Sequence, residues 1–221
     1  KRFWAAGSTL AFASDWWTQP SRYWLINVTH QFDKLYDRVD GMVASLPLPL
    51  KEHIYRTRDL ARRLGKIHGV DDKRCALGAL SHDLARHLEG SQLLIQSREK
   101  NIPINLYELD SPVLLHGPLA AVWLESELGC DDGEVVNSVR YHTTGRPCMT
   151  HIEKIVFIAD KVEPEKLAAN PELVLVADKM EVDLDEGILE YLKLRVRSTM
   201  QQKGVVHPLA LETWNYLIQK E

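Results

Sequence analysis

Several features are scarce in this sequence of 221 residues. It contains three cysteines, Cys75, Cys130 and Cys148, and no Cys-x-x-Cys pair, so we expect neither a disulfide framework nor a zinc ribbon. A reducing, cytoplasmic location is the simplest expectation for such a chain. No uninterrupted apolar run approaches the roughly 18 residues that a membrane span needs. Because 31 acidic residues outnumber 27 basic ones, a polybasic nucleic-acid or membrane-surface binder is not expected.

The remaining composition is that of a globular protein. Hydrophobic residues make up 45% and charged residues 26% of the chain, and its length suits one large domain or two small ones. The chain begins at Lys1 without a signal pattern, as expected of a trimmed or fragmentary chain. We predict a tryptophan-rich extension with a helix over residues 1–45 and the main domain over residues 46–221. The tryptophans of the extension either complete a hydrophobic core or form a docking surface.

Hydrophobic spacing predicts helices along most of the chain. Apolar residues recur at helical intervals over residues 31–45, 51–68, 76–84, 91–100, 112–129, 133–142, 151–162, 183–202 and 208–219. Pro47 and Pro49 are expected to stop the first helix, since proline removes a backbone donor and disfavours a helical residue before it. Two short apolar runs, 155–159 and 173–176, resemble strands but do not alternate with polar residues. The predicted fold class is therefore all-α.

One dipeptide in the predicted helix 76–84 could carry chemistry. His82 and Asp83 are adjacent there, and burial of a carboxylate beside an imidazole is costly unless something compensates both groups. A divalent metal ion does so, because it takes a neutral imidazole nitrogen and an anionic oxygen together. Taken alone, however, the dipeptide is better explained by a helix-end histidine beside a solvent-facing aspartate than by a metal site.

Further polar residues adjoin apolar stretches on other predicted helices. They are His53, His116, His142 and Asp160. A helical bundle can aim such residues at one interior point. Each one alone is explained by a histidine bonded to a carbonyl or an aspartate that caps a turn, but six such coincidences in one chain are not expected. By contrast, His68 and His87 fit ordinary helix-end positions.

The order of these residues resembles the HD superfamily of metal-dependent phosphohydrolases, and within it the YqeK family of symmetrical bis(5'-nucleosyl)-tetraphosphatases. The resemblance extends from about residue 50 to the end of the chain. The shared phrases are HDLA at 82–85, LHGP at 115–118, RYHTTGRP at 140–147 and ADKVEP at 159–164. The third phrase is much more specific than the His-Asp pair.

The resemblance implies a fold, a reaction and a set of ligands. It implies an all-helical HD domain that uses water to split diadenosine tetraphosphate into two ADP. The implied metal ligands are His53, His82, Asp83 and Asp160, around one or two divalent transition metal ions, iron first and manganese or zinc as alternatives. His116 and His142 would then face the phosphates or complete a second metal site bridged by Asp83. Without a second metal, one of them in its protonated form could act as the acid for the leaving phosphate. A homodimer is also implied.

Positively charged groups are needed around the phosphates. Arg86 is the first choice, one helical turn after His82, and completes the predicted catalytic set with Asp83, His116 and His142. The same four residues are predicted to bind substrate, together with Arg140, Arg146, Lys166 and His207; the arginines are equally explained as solvated surface residues.

Three departures from the family pattern concern the nucleotide contacts. Arg86 stands where the family usually has lysine, and Glu165-Lys166 stand where it tends to have Gly-Arg. Leu50 stands three positions before the first histidine, where the family often has a basic or polar residue. Reaction class is therefore indicated more strongly than substrate.

Two other functions fit the same residues. One is a different HD activity, such as a nucleotidase or a cyclic-dinucleotide phosphodiesterase, with the same metal and other contacts to the base. The other is a nucleotide-sensing module that binds without cleaving. In each case the expected partner is a nucleotide, and neither nucleic acid nor a membrane is expected.

Overall fold

The computed structural model describes the backbone of residues 22–220 and the side chains of residues 30–220. Within this range the chain forms twelve α-helices and no strand, which confirms the all-α fold class. The helices are α1 Arg22–Ala44, α2 Leu48–Ile67, α3 Asp72–Ser81, α4 Gly90–Glu99, α5 Leu106–Asp110, α6 His116–Val122, α7 Gly133–Arg140, α8 His151–Val162, α9 Pro164–Ala169, α10 Val174–Val182, α11 Leu184–Gln201 and α12 Pro208–Ile218.

The chain divides into two compact units, residues 1–34 and residues 35–221. This division falls within α1, ahead of the boundary predicted after residue 45, and the predicted domain assignment stays a prediction. The side chains of the predicted tryptophan cluster lie outside the described residues. Among the helices of residues 22–220, none combines the length and the apolar character that a bilayer crossing requires.

Local sequence signals set the ends of α2 and α3. α2 begins earlier than predicted because Pro47 occupies its N-cap and Pro49 its first turn, where the missing N–H has no helical partner to lose. After α2, Gly69 adopts a φ of 65°, a left-handed conformation that glycine reaches without strain. Asp71 then caps α3 by accepting hydrogen bonds from two backbone N–H groups of its first turn.

Two further predicted helices end or divide differently in the structure. α3 ends at Ser81, and the chain continues through turns such as the one closed by the Arg86 N–H on the Asp83 carbonyl at 3.0 Å. Adjacent residues of a regular helix point about 100° apart, so an end at Ser81 lets His82 and Asp83 face one interior point. The predicted helix 112–129 is divided into a 3-10 segment, α6 and a π-helical turn.

α8 is the central helix of the second unit. Nearly all of its side chains are buried, and it packs against α2, α3, α7 and α11. Gly78 of α3 permits a close approach, because a Cβ at this position would lie 3.0 Å from the Val156 Cγ2 atom of α8. This packing brings His82, which follows α3, within 3.7 Å of the Asp160 carboxylate of α8.

Candidate metal centre

Six polar side chains from different parts of the chain converge beside α8. His53 lies on α2, His82 and Asp83 follow α3, His116 begins α6, His142 follows α7 and Asp160 lies near the end of α8. All of them are buried except His53, whose side chain is 14% exposed. The structure thus gathers all six residues that the sequence indicated as metal ligands or their neighbours.

The first group of donors surrounds the imidazole of His53. Its Nε2 atom lies 3.3 Å from Nε2 of His82 and 3.1 Å from Oδ1 of Asp160. Nε2 of His82 lies 3.6 Å from Oδ2 of Asp83 and 3.7 Å from Oδ1 of Asp160. Two imidazole nitrogens and two carboxylate oxygens therefore face one small volume.

The second group shares Asp83 with the first. Oδ1 of Asp83 lies 3.0 Å from Nε2 of His116 and 3.5 Å from Nε2 of His142, while its Oδ2 faces His82. The Nε2 atoms of His116 and His142 are 3.0 Å apart. Asp83 thus offers one oxygen to each group, as the predicted bridging ligand would.

Backbone carbonyls orient three of the imidazoles. The Nδ1 atom of each one bonds the carbonyl three residues earlier: Ala79 for His82 at 2.6 Å, Val139 for His142 at 2.7 Å, and Val113 for His116. A carbonyl can only accept, so Nδ1 carries the proton and Nε2 presents its lone pair to the centre. In each of these three histidines, the hydrogen bond at Nδ1 therefore leaves the Nε2 atom able to bind a metal ion.

Glu163 orients the fourth imidazole. Its Oε1 atom lies 3.4 Å from Nδ1 of His53, and Nε of Arg56 donates to its Oε2 atom at 2.6 Å. Carboxylates commonly hold metal-binding histidines in this way. The sequence analysis gave Glu163 no role; the available signal was an acidic residue three positions after Asp160.

Two lysines bind the carboxylate of Asp160. Nζ of Lys161 donates to Oδ2 at 2.6 Å, and Nζ of Lys166 donates to Oδ1 at 2.7 Å. Lys166 was predicted as a substrate contact, and the structure places its ammonium at the centre. Lys161 was missed, although its position directly after Asp160 was a signal. Its Nζ atom also lies 5.3 Å from the centre of the Phe157 ring.

Burial and neighbouring charges set the protonation of the centre. Burial lowers the pKa of His82 to about 3 and also lowers the pKa of His142. Burial alone would raise the pKa of Asp83, but the surrounding imidazoles outweigh it and hold that pKa well below its ordinary value. The pKa of Asp160 is lowered against the same effect of burial by Lys161 and Lys166. Neutral imidazoles and ionised carboxylates are the forms that bind metals.

These donors fit a divalent transition metal. The Nε2 lone pairs of His116 and His142 face each other at 3.0 Å, an arrangement that repels unless a cation or a proton lies between them. Three overlapping sets of donors from the six residues have atoms within 4.8 Å of one another. Four imidazoles with two carboxylates suit iron, manganese or zinc, whereas calcium and magnesium prefer oxygen ligands.

Two of the predicted arginines lie on the surface. Arg86 is exposed and has no hydrogen-bond or ion-pair partner among the side chains of residues 30–220. Arg140 is half-buried, and its Nη2 atom lies 3.4 Å from a carboxylate oxygen of Glu125. Their predicted contacts to phosphate stay predictions.

The two other predicted substrate contacts have protein partners. Nε and Nη2 of Arg146 each lie 2.6 Å from a carboxylate oxygen of the buried Glu153, so this guanidinium also supports the start of α8. Nε2 of His207 lies 3.2 Å from Oε1 of Glu108, and its ring meets the Tyr107 ring edge-to-face with the ring centres 5.4 Å apart.

Comparison with known proteins identifies a family and several relatives of this chain. The HD domain family matches residues 50–165. A protein of Halalkalibacterium halodurans named symmetrical bis(5'-nucleosyl)-tetraphosphatase is 31% identical over 176 residues, which cover 78% of this chain and 92% of that protein. A Bacillus subtilis protein of the same name is 31% identical over 181 residues, 80% of this chain and 95% of the relative.

A solved structure has the same fold. It is a crystal structure from Clostridium acetobutylicum, described as a predicted HD superfamily hydrolase involved in NAD metabolism, with 26% identity and a TM-score of 0.77. The match covers 84% of this chain and 98% of that structure. With its six converging donors inside the matched segment, the chain belongs to the HD domain family, in the branch that contains the symmetrical bis(5'-nucleosyl)-tetraphosphatases.

Proposed function

We propose that the protein is a metal-dependent hydrolase that uses water to split diadenosine tetraphosphate and similar dinucleoside tetraphosphates into two nucleoside diphosphates. The observation that carries the proposal is the convergence of four imidazoles on the two oxygens of Asp83, with Asp160 beside them. The names of the two bacterial relatives support the choice of substrate.

In this proposal the six residues hold the metal. His53, His82, Asp160 and Oδ2 of Asp83 would hold one divalent cation, and Oδ1 of Asp83 with His116 and His142 would hold a second. Bound cations supply positive charge to the phosphate oxygens and lower the pKa of a water molecule from 15.7 to about 7. Iron is the proposed metal, since the donor set suits it, and manganese and zinc are the alternatives.

The protonation of the buried histidines favours a ligand role. Because burial lowers the pKa of His82 and of His142, both are neutral at pH 7 and poor proton donors. A terminal phosphate has a second pKa of about 6, so a nucleoside diphosphate can leave near neutral pH without taking a proton. These two side chains then contribute by position rather than as general acids.

Cationic side chains would complete the site. Arg86 is the proposed stabiliser of negative charge on the phosphates, because it is unpaired among the described residues. Lys166, at Oδ1 of Asp160, is proposed as a second contact. Arg140, Arg146 and His207 are proposed as further substrate contacts.

A product assay tests the reaction. Purified protein, loaded separately with iron under anaerobic conditions, manganese or zinc, is incubated with diadenosine tetraphosphate and the nucleotides are separated by chromatography. We expect two ADP per substrate molecule and no product from chelator-treated protein. AMP with ATP, or release of orthophosphate, would contradict the symmetrical reaction and favour another HD activity. Tight binding without turnover in every metal would favour the sensing module.

Metal content and assembly are measured on the same preparation. We propose that protein purified without added metal carries iron, and that it is a homodimer, as the family resemblance implies. Elemental analysis and analytical ultracentrifugation measure the two properties. Manganese or zinc in place of iron would change the metal and leave the reaction proposal intact.

A further inference from the structure

Gly117 follows the proposed ligand His116 in the first turn of α6 and is buried. It belongs to a regular α-helix and does not have a positive φ, so its backbone conformation is open to alanine as well. Glycine is less favourable than alanine in a helix, because it loses more conformational freedom on folding. The reason for a glycine here therefore lies in its surroundings.

The imidazole of His142 occupies the space beside Gly117. A Cβ atom at residue 117 would lie 3.1 Å from both Cε1 and Nδ1 of His142, and 3.1 Å from the Val139 carbonyl oxygen. Carbon atoms in ordinary contact are about 3.5–4.0 Å apart, so an alanine would displace these neighbours by a few tenths of an ångström. They are the two partners of the 2.7 Å hydrogen bond that orients the His142 ring.

The His142 ring is enclosed on its other sides. Its centre lies 4.9 Å from the ring centre of His82 and 4.9 Å from that of His116. Its Nε2 atom lies 3.0 Å from Nε2 of His116 and 3.5 Å from Oδ1 of Asp83. A shift of the ring away from residue 117 therefore moves Nε2 relative to the other donors of the second group.

Metal binding is sensitive to a displacement of this size. A zinc–imidazole bond is about 2.0–2.1 Å long, and a metal site keeps its ligand distances within about 0.2 Å of such values. The three atoms nearest to the added methyl group belong to His142 and Val139, and none belongs to the first group of donors around His53. The displacement therefore acts on the second group of donors.

We propose that Gly117 is a positioning residue for the second cation. The missing side chain lets α6 lie so close to the His142 ring that this imidazole joins His116 at Oδ1 of Asp83. The inference rests on the proposed function for the presence of a second cation. It implies that the two cation positions are separable, so that the first can be filled in a protein whose second position is distorted.

Manganese binding to Gly117→Ala tests this assignment. Equilibrium dialysis measures the affinity of each ion, and electron paramagnetic resonance distinguishes a coupled pair of manganese ions from an isolated one. We expect the affinity for the first ion to stay within about twofold of the wild type. The affinity for the second ion should fall about 10–100-fold, the range for loss of a group that orients a ligand, and the signal of the coupled pair should disappear with it.

Gly133→Ala is the matched control for this substitution. Gly133 is the first residue of α7, the helix that leads to His142, and a Cβ atom there would meet no atom within 4 Å. This variant should bind both manganese ions as the wild type does. Circular dichroism should show the same helical signal for both variants.

A stability measurement on metal-free protein tests the same contact if Gly117→Ala folds poorly. The added methyl group should lower the urea midpoint of the wild-type protein. At least about half of this effect should vanish in the His142→Ala background, where the ring that the methyl group meets is gone. A Gly117→Ala chain that folds only together with His142→Ala supports the proposal. An equal loss, or failure to fold, in both backgrounds overturns it.

The remaining outcomes separate this inference from the proposed function. Unchanged binding of both ions by Gly117→Ala overturns the positioning role, and so does equal weakening of both ions. A wild-type protein that binds a single manganese ion and still splits diadenosine tetraphosphate overturns this inference and leaves the reaction intact. Selective loss of the second ion from Gly117→Ala, without cleavage by the wild type, supports the positioning role and counts against the reaction.

Discussion

The two carboxylate oxygens of Asp83 face different imidazoles, Oδ2 toward His82 and Oδ1 toward His116 and His142. An asparagine keeps the size of the side chain but has one oxygen and no negative charge. We expect Asp83→Asn to lose bound metal and to lower kcat/KM by more than about a hundredfold, beyond the effect of removing an outer hydrogen-bond partner. Elemental analysis and the product assay measure both effects.

Asp178→Asn is the matched control for this substitution. Asp178 is an exposed aspartate of α10, so the control should keep the metal content and turnover of the wild type. Circular dichroism should show the same helical signal for both variants. Full turnover in Asp83→Asn would reject the proposed centre, because the reaction would then not need the bridging carboxylate.

Arg86 allows a test of charge without a change of metal ligands. Because it is exposed and unpaired among the described residues, Arg86→Gln should leave the free energy of unfolding within about 0.5 kcal/mol of the wild type. We expect kcat/KM to fall by about tenfold to a hundredfold, because a charge that stabilises the transition state is lost. Arg86→Lys should recover part of the loss, since it restores the charge without the bidentate geometry.

Arg98→Gln provides the comparison for Arg86→Gln. Arg98 is an exposed arginine of α4, and its substitution should leave kcat/KM unchanged. Equal kinetics for Arg86→Gln and the wild type would remove Arg86 from the proposed catalytic set, while the metal content of both proteins would stay the same.

Residue types decided which parts of the centre could be predicted. His82 and Asp83 were recognisable because an imidazole and a carboxylate in an apolar segment need compensation, and their order with the other ligands resembles a family. Glu163 and Lys161 were missed because their roles depend on contacts that exist only after folding. Glutamate and lysine are common on surfaces, so a position shortly after Asp160 does not by itself separate these two residues from solvated ones.

At the scale of elements, Glu163 joins α2 to the beginning of α9. Its carboxylate faces His53 and accepts a hydrogen bond from Arg56, both of α2. Glu163→Gln keeps the shape of the side chain but removes the negative charge that orients the imidazole of His53. We expect the affinity for manganese to fall about 10–100-fold, with kcat recovering at saturating manganese, as measured by metal titration and activity.

Glu165→Gln is a close control because Glu165 also pairs with Arg56 and does not contact His53. It is 70% exposed, so its loss should change manganese affinity by less than about twofold. Equal weakening in both variants would mean that the contact between α2 and α9, rather than the orientation of His53, controls the metal affinity.

Element boundaries were predictable where one physical signal dominated. The bounds of α8 were predicted correctly at residues 151–162 from the spacing of its apolar residues, and in the structure a capping box at Thr150 fixes its first residue. α5, α9 and α10 were missed. The first two have five and six residues, too few for a clear period, and α10 begins with an apolar run that also resembles a strand.

At the scale of the whole molecule, the buried imidazoles link stability to pH. The pKa of His82 is 6.5 in its ordinary state and about 3 when folded, and that of His142 is lowered in the same direction. Below pH 6.5 the unfolded chain therefore binds protons that the folded, metal-free protein excludes. The free energy of unfolding should fall by about 1.4 kcal/mol per pH unit for each such proton.

The carboxylates of the centre limit the pH range in which the histidines alone determine the change in the free energy of unfolding. Asp83 and Asp160, with lowered pKa values, change stability only below their ordinary pKa of 3.8, where protonation of the unfolded chain begins to compete. Urea unfolding of metal-free protein at pH 7.5, 6.5, 5.5 and 4.5 should therefore show a steady loss of stability below about pH 6.5. The loss should be shallower in His82→Gln and unchanged in His87→Gln, since His87 is exposed. An equally steep loss in His82→Gln would mean that His82 takes up its proton in the folded state, which its complete burial opposes.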